Sequence, residues 1–440
     1  MEAGVNRPLR EGLSAGWKRI SGRIAERGML LFVVACLGIP AVLTRLLDVE
    51  VPLSVLACLA SVPFYFLIPN IREKFYITAA FVLAVISVLF NAVFVSRNVE
   101  TAPFLSLVYF FSPYLLFFSG YRLVTSDEDM SFALRWFSVI FALVSFVVVS
   151  GIFAAGGTVR VEGELLGSLL GLKLYGTYGV NSLAVFFATM FAVLVVHVFY
   201  GERHRHIAVV PYLLGMAGLL FLLIGSLSRE AILGCGLFLF LSILYLMKRS
   251  PLLGLILGGT IAALGFVVAD RYGEAIGLIW SSKLGVGSSA LGEGDLDAFS
   301  SGRITLYRYA VMDILRDPIF GNGFHGFFLH NVPGLHDEAI AGNNSPHNQF
   351  LTAVWKMGLV AGTFYLLFIY RCMKNLYLLQ RSEGKAAMYT GLWILMLVYL
   401  LVFCSFWDVL LVPLIGMFLM FLLGGVARIH AMERSSRAGC

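Results

Sequence analysis

Apolar residues fill most of the chain in long runs, and short polar segments separate these runs. A helix needs about 20 mostly apolar residues to cross the hydrocarbon core of a bilayer. The pattern predicts about twelve such spans, at 28–47, 51–69, 75–96, 102–122, 132–155, 179–200, 207–225, 229–247, 251–269, 347–370, 387–404 and 409–427. We therefore expect an all-α polytopic membrane protein.

The spans divide the chain into five parts. Residues 1–27 and 428–440 are predicted cytoplasmic tails, 28–269 hold transmembrane helices 1–9, and 347–427 hold helices 10–12. Residues 270–346 form a large loop between them. The 440 residues are 59% hydrophobic and only 13% charged, which excludes an ordinary soluble protein. The basic N-terminal segment lacks a cleavage-site pattern, so we interpret it as a tail and not as a signal peptide.

The distribution of positive charge orients these spans. With a cytoplasmic N-terminus, 21 of the 32 Lys and Arg residues fall in cytoplasmic segments and 10 on the opposite side. This is the bias that the positive-inside rule describes. Both termini are therefore predicted inside, and the 270–346 loop outside. The net charge of +6 mainly reflects this topology, so we expect membrane lipids and not nucleic acid as partners.

The outward loop 270–346 contains one clear helical pattern. Its first half is rich in Gly and Ser, but Ser300 or Ser301 can cap a helix that follows. That helix carries an apolar stripe at helical spacing, formed by Ile304, Tyr307, Val311, Ile314 and Leu315. Asp317-Pro318 ends the pattern, and Gly321-Asn322-Gly323 predicts a turn. We expect an amphipathic helix packed on the membrane domain, and a second short interfacial helix in the outward loop 156–178.

Three side chains at the outer face are candidates for chemistry. Arg229 lies at the junction of two spans, Arg303 in the first turn of the loop helix, and His347 where the chain re-enters the membrane. Guanidinium groups bind phosphate oxygens bidentately, and an imidazole can act as a base near pH 7. Structural alternatives stay open: Arg229 can snorkel or pair with Glu230, Arg303 can be a surface residue, and His347 can serve packing or capping.

Other polar residues carry weaker signals. His330 and His336 are interpreted as ordinary loop residues, and His325 is the best candidate of the remaining histidines. Lys356 is an intramembrane cation, with Asp408 as a plausible partner.

Metal chemistry has little support in the sequence. Asp48-Val49-Glu50 and Asp295-Leu296-Asp297 have the spacing of metal-binding carboxylates, but such short patterns are common on solvated loops. The six cysteines have neither zinc-site spacing nor a disulfide pattern, and none lies in an outward loop. We therefore expect no metal and no cofactor.

Three segments resemble the superfamily of bacterial O-antigen ligases and polymerases. They are Ser228-Arg229, the stretch GRITLYRYAVMDILRDPIFGNGF, and the stretch NNSPHNQFLTAVWKMGLVAG. The family pattern is an Arg-led helix, a Pro-x-x-Gly-x-Gly turn, and a His-Asn pair that opens a helix with a later Gly. Here these are Arg303, Pro318 to Gly323, and His347-Asn348 with Gly358. Tyr307 stands where the family has Trp.

The resemblance implies a GT-C-like glycosyltransferase of the bacterial inner membrane with its active site in the periplasm. The donor would be a glycan on undecaprenyl pyrophosphate and the acceptor a sugar hydroxyl of lipid A-core. Arg229 and Arg303 would bind the pyrophosphate, and His347 would activate the acceptor. Further substrate contacts are expected from five residues near these three: Arg308, Tyr307, Asn348, His325 and Asn344.

Three other functions stay open. An O-antigen polymerase would join glycan repeats to one another, and a protein O-oligosaccharyltransferase would glycosylate Ser or Thr. The latter usually carries a larger outward domain after the last helices, where this chain has only 428–440. A transporter of the lipid-linked glycan would place charged residues along mid-membrane helices, whereas most spans here carry none. This favours an enzyme.

Overall fold

A computed structural model describes residues 25–38, 42–46, 49–95, 101–155, 180–201, 210–226, 228–263, 265–266, 270, 303–324, 346–382, 387–406 and 413–438. In chain order, its helices are α1 (25–38), α2 (Leu53–Leu67), α3 (Arg72–Phe90), α4 (Thr101–Leu123), α5 (Asp127–Ala155), α6 (Val180–Val195), α7 (Val210–Ser226), α8 (Arg229–Arg249), α9 (Pro251–Ala263), α10 (Arg303–Arg316), α11 (Gln349–Gln380), α12 (Ala387–Val398) and α13 (Pro413–Ala438). Single π-helical turns continue α3 at Asn91–Val95, α6 at Val196–Tyr200 and α12 at Tyr399–Phe403.

The helices confirm a polytopic helical membrane protein. Among the described residues, five helices are long and apolar enough to cross a membrane: Arg72–Phe94, Asp127–Ser150, Arg229–Arg249, Gln349–Gln380 and Ile415–Arg437. Five shorter apolar helices accompany them, at Leu53–Leu67, Ala184–Tyr200, Val210–Ser226, Pro251–Ala263 and Ala387–Phe403. The number of twelve spans and the GT-C-like architecture stay predictions.

The first predicted span, 28–47, is wrong in its second half. The helix is described as far as residue 38, and the strands β1 (Val42–Leu46) and β2 (Val49–Pro52) form a short antiparallel hairpin in the rest of the predicted span. The second predicted span likewise begins too early, because α2 starts at Leu53. The β-branched residues Val42, Val49 and Val51 of the two strands favour extended backbone. Apolar composition alone could not distinguish this hairpin from membrane helix.

Two helices run beyond the predicted boundaries. α11 continues to Gln380, and α13 continues through most of the predicted tail 428–440. Both carry charged residues in their C-terminal parts, such as Arg371 and Lys374 in α11 and Arg434 and Arg437 in α13. A hydropathy pattern ends the span before these residues, although the backbone stays helical. The membrane boundary and the helix boundary are therefore different positions in these two elements.

The helices pack in two groups. α4 lies against α13 and α2, and α3 lies along α11, whereas α6 contacts α5, α7 and α8. α11 contacts both α12 and α13, so it lies at the centre of the molecule, and α10 packs on it. The candidate site is built where the first residues of α8 and α11 meet α10.

The loop helix α10 confirms the predicted amphipathic helix but corrects its buried face. Of the predicted stripe, Ile304, Val311 and Leu315 are 47%, 44% and 73% exposed. The buried positions are Ala310, Asp313 and Ile314, which pack near Trp355 of α11. In a membrane protein, lipid can cover exposed apolar side chains, so an apolar stripe does not by itself mark the protein-facing side.

Candidate functional site

The start of α8 meets the loop helix α10 through one ion pair. Arg303, the first residue of α10, forms this pair with Glu230, the second residue of α8. The two side chains are 19% and 13% exposed, so the contact is mostly shielded from solvent. Ser228 adds a hydrogen bond from its hydroxyl to Glu230 Oε2 at 3.3 Å. Arg229, the first residue of α8, is exposed, and the fold brings Arg303 to the helix end on which it lies.

Three charged residues lie where α8 meets α10. Glu230 and Arg303 are mostly shielded from solvent, so their charges interact more strongly than they would in water, whereas Arg229 is exposed. The sequence left open a pair between Arg229 and Glu230, but the ion pair that the structure resolves for this carboxylate is with Arg303.

One backbone carbonyl ties α10 to the start of α11. Tyr307 donates a hydrogen bond from its hydroxyl to Ser405 O at 2.9 Å, and Asn348 donates from Nδ2 to the same oxygen at 3.2 Å. Ser405 lies after the π-helical turn of α12. Three elements distant in sequence therefore meet at this carbonyl.

His347 lies directly before the capped end of α11. Asn348 is the N-cap, and its Oδ1 accepts hydrogen bonds from the amides of Phe350 and Leu351 at 3.1 and 3.0 Å. His347 has φ +49°, a left-handed conformation that few non-glycine residues adopt, although His is enriched among them. The predicted helix entry is confirmed, and the side chain is partly exposed.

A break in α11 receives the turn that follows α10. Gly358 has φ +76° and ψ 172°, which interrupts the helix and frees backbone groups on both sides. The carbonyls of Trp355 and Lys356 accept from the amides of Asn322 and Gly323, both at 2.9 Å. The freed amide of Leu359 donates to Pro318 O at 2.7 Å. Non-helical backbone within a membrane protein needs such partners, because lipid offers none.

Helix α3 holds the other side of this turn. Phe320 stacks on Phe90 with ring centroids 4.1 Å apart, and its carbonyl accepts a hydrogen bond from Ser87. Asn91 Nδ2 donates to Gly321 O at 3.2 Å. The turn is therefore fixed between the last residues of α3 and the break in α11, and it positions α10, which directly precedes it.

Asp313 joins the helix, the turn and α11. Its Oδ2 accepts hydrogen bonds from Asn322 Nδ2 at 3.0 Å and from Trp355 Nε1 at 3.3 Å. The side chain is buried, with 6% exposure. The sequence analysis did not single out Asp313; an acidic residue on the buried face of an amphipathic helix was the available signal.

A second buried polar chain lies behind the first turn of α11. Gln349 donates from Nε2 to the hydroxyl of Tyr365 at 3.1 Å, and Tyr114 donates to the same hydroxyl at 2.7 Å. All three side chains are buried. This chain braces the start of α11 against α4, and the sequence analysis missed it.

The remaining predicted residues are placed as follows. Arg308 is exposed on α10, and Lys356 is fully buried with Nζ 4.0 Å from the ring centroid of Trp355. Several predictions fall outside the described residues, namely those on His325, His330, His336, Asn344, Asp408, Asp48, Asp295 and Asp297, together with the Ser300 or Ser301 cap, the interfacial helix in 156–178 and the side chain of Glu50.

Residues 214–366 match the family model described as O-Antigen ligase. The matched segment runs from α7 into α11 and includes Arg229, Arg303 and His347. It covers roughly a third of the chain and supports membership of the O-antigen ligase superfamily, which confirms the resemblance found in the sequence. No curated protein matches the chain.

Proposed function

Starting from this superfamily, we propose that the chain is an O-antigen ligase. It transfers a glycan from undecaprenyl pyrophosphate to a sugar hydroxyl of lipid A-core at the periplasmic face of the bacterial inner membrane, and so completes lipopolysaccharide. The observation that carries the proposal is the ion pair between Arg303 and Glu230 beside Arg229. It supports a prepared anion site, because it holds the guanidinium group of Arg303 in place at the start of α8, the helix that begins with Arg229.

Arg229 and Arg303 bind the pyrophosphate of the donor. Guanidinium stays charged and presents paired donors that match phosphate oxygens. Before the donor arrives, Glu230 neutralises Arg303 and keeps it in position. The pyrophosphate then competes for the same donors, and Arg229 supplies a second guanidinium group. Its negative charge grows as it leaves, so the arginines stabilise the transition state.

His347 acts as the general base. It takes the proton from the acceptor hydroxyl while the hydroxyl oxygen attacks the anomeric carbon. The new glycosidic bond forms as the bond from that carbon to the phosphate oxygen breaks, and undecaprenyl pyrophosphate leaves with the electron pair. The configuration at the anomeric carbon is inverted. A positioned base contributes about 10²–10⁴-fold to such a step. We propose that no metal is needed.

The test is a transfer assay with purified full-length protein, undecaprenyl-pyrophosphate-linked glycan, lipid A-core and EDTA. A gel shift of the lipid A-core band is expected for the unaltered protein. His347→Ala and Arg229→Lys should abolish it, the second because Lys loses the fork geometry. Arg316→Lys is the matched control, since Arg316 is exposed at the far end of α10 and should stay active.

The outcomes separate the competing functions. Full activity of both the His347 and Arg229 variants would contradict the site assignment, and loss of activity in EDTA would contradict the metal-independent mechanism. Growth of the lipid-linked glycan without transfer to lipid A-core would identify a polymerase. Transfer to Ser or Thr of a protein acceptor would identify an O-oligosaccharyltransferase. If folded protein makes no glycan product, a transport assay with the lipid-linked glycan becomes the next experiment.

A further inference from the structure

Two adjoining cavities lie at the end of α3 opposite the candidate site. The first is an apolar groove of about 310 Å³ between α2, α3 and α4. Its walls include Val62, Phe81 and Val108, which are all exposed on the outer surface of the helix group. A groove of this volume lies in the size range of small-molecule sites, and its walls suit a hydrocarbon chain.

The second cavity measures about 530 Å³, and we call it the polar cavity for the polar and charged side chains among its mostly apolar lining. It lies where α2 connects to α3 and is lined by Asn70, Arg72 and Lys74 among others. Tyr65 and Thr78 line both cavities, and their hydroxyls are hydrogen-bonded at 2.9 Å. The two spaces therefore adjoin, with the apolar groove between the helices and the cationic residues where α2 connects to α3.

The polar cavity is positively charged. Lys74 Nζ donates to Ile68 O at 2.8 Å and lies 4.6 Å from the ring centroid of Tyr65. An ammonium group has three donors, so this bond leaves capacity for another acceptor. No carboxylate is among the described residues that line the cavity.

Glu73, which lies between the two cations in sequence, faces away from the cavity. It is buried against α11, where it accepts a hydrogen bond from Asn375 at 2.9 Å and pairs with Arg371 at 3.6 Å. The negative charge of Glu73 is therefore paired outside the cavity. The positive charges of Arg72 and Lys74 determine the net charge of the cavity lining.

We propose that these two cavities form a binding site for one anionic phospholipid. Its phosphate lies near Arg72, Lys74 and Asn70, and one acyl chain occupies the apolar groove. Basic pockets between membrane helices at the cytoplasmic side are a known mode of recognition for anionic headgroups. The predicted orientation places this end of α3 at that side. The adjoining apolar and cationic spaces match the two parts of such a lipid.

This lipid site is separate from the proposed donor site. α3 has 19 residues and is therefore about 28 Å long. Arg72 and Lys74 lie in its first turn, whereas the turn beside the candidate site contacts its last residues and Asn91. The proposal accordingly stands whether or not the chain is a ligase.

The test measures lipid binding to the delipidated full-length protein in detergent. Dioleoyl phosphatidylglycerol is compared with dioleoyl phosphatidylcholine and with glycerol 3-phosphate, by native mass spectrometry and by the midpoint of thermal unfolding. We expect one retained phosphatidylglycerol and a raised midpoint, with weaker effects of the other two. Arg72→Gln/Lys74→Gln should lower the affinity for phosphatidylglycerol at least about tenfold, since charged hydrogen bonds are lost.

A second variant and a control keep the test decisive. Val108→Phe narrows the groove from an exposed position and should weaken binding without touching the cations. Lys248→Gln/Arg249→Gln removes two cations in the last turn of α8, outside both cavities, and should leave binding unchanged.

Three results would overturn the proposal. Equal binding of phosphatidylcholine, or unchanged binding in both cavity variants, would indicate only surrounding membrane lipid. Equal affinity for glycerol 3-phosphate would indicate a site for free phosphate. Retention of a polyprenyl phosphate but not of phosphatidylglycerol would assign the cavities to another lipid.

Discussion

Replacing Gly358 by Ala should disrupt the contact that holds the loop helix on the membrane domain. Gly358 has φ +76° and ψ 172°, a region of backbone space that is essentially restricted to glycine. An added Cβ would also collide with the carbonyl of Ile319 in the docked turn. The alanine variant therefore has to move the break in α11 or expel the turn.

The expected loss of stability follows from these two effects. The backbone conformation alone costs about 1–3 kcal/mol for a residue with a side chain. Three backbone hydrogen bonds join the turn to α11, from Asn322 N, Gly323 N and Leu359 N. Each contributes about 0.5–1.5 kcal/mol, so the total loss is about 2.5–7.5 kcal/mol if all are broken. At about 2 °C per kcal/mol for a long chain, the unfolding midpoint should fall by roughly 5 °C or more.

The assay compares thermal unfolding midpoints in one detergent at one scan rate, because unfolding of a protein this size is often irreversible. Gly236→Ala in α8 is the control, since a Cβ there meets nothing within 4 Å. Gly321→Ala perturbs the same contact from the turn, where φ is +65°. The double variant should lose less than the sum of the two single losses, because both remove one shared interaction. A midpoint unchanged by Gly358→Ala, or strictly additive losses, would refute this account of the docked turn.

Three further predictions concern the polar contacts of the site. Asn348→Ala should lower the free energy of unfolding by about 1 kcal/mol more than Asn348→Asp. Asp keeps the N-cap of α11 and loses only the hydrogen bond to Ser405 O. Equal unfolding midpoints of the two variants would contradict the capping role. Asp313→Ala should lower the free energy of unfolding by about 1.5–4.5 kcal/mol, because the buried Trp355 Nε1 and the partly buried Asn322 Nδ2 lose their acceptor. The exposed Asp317→Ala should have little effect on chemical denaturation. Glu230→Gln should lower the unfolding midpoint by removing the ion pair with Arg303, and inorganic pyrophosphate should raise that midpoint more in the variant than in the unaltered protein. No difference between the two proteins would count against an anion site.

The sequence by itself determined the class of the molecule and much of the local structure around the site. Apolar runs of spanning length cannot form a soluble fold, so the helical membrane class follows from composition and periodicity. The loop helix begins at Arg303 and ends before Asp317-Pro318, as its helix-stop and turn residues predict. The Gly321-Asn322-Gly323 turn and the start of the helix after His347 are likewise determined by residues close to them in the sequence.

Tertiary structure decided which residues meet and where regular structure is interrupted. The partner of Glu230 is Arg303 and not its sequence neighbour, because α10 folds back onto the start of α8. The break at Gly358 exists because a distant turn supplies hydrogen bonds that the helix loses, so no pattern within α11 could predict it. The buried face of α10 contains Asp313 for the same reason: Asn322 and Trp355 satisfy its carboxylate only in the folded chain. Helical periodicity shows which side chains avoid water. Both lipid and packed protein shield a side chain from water, so only the tertiary packing shows which of the two a given helix face contacts.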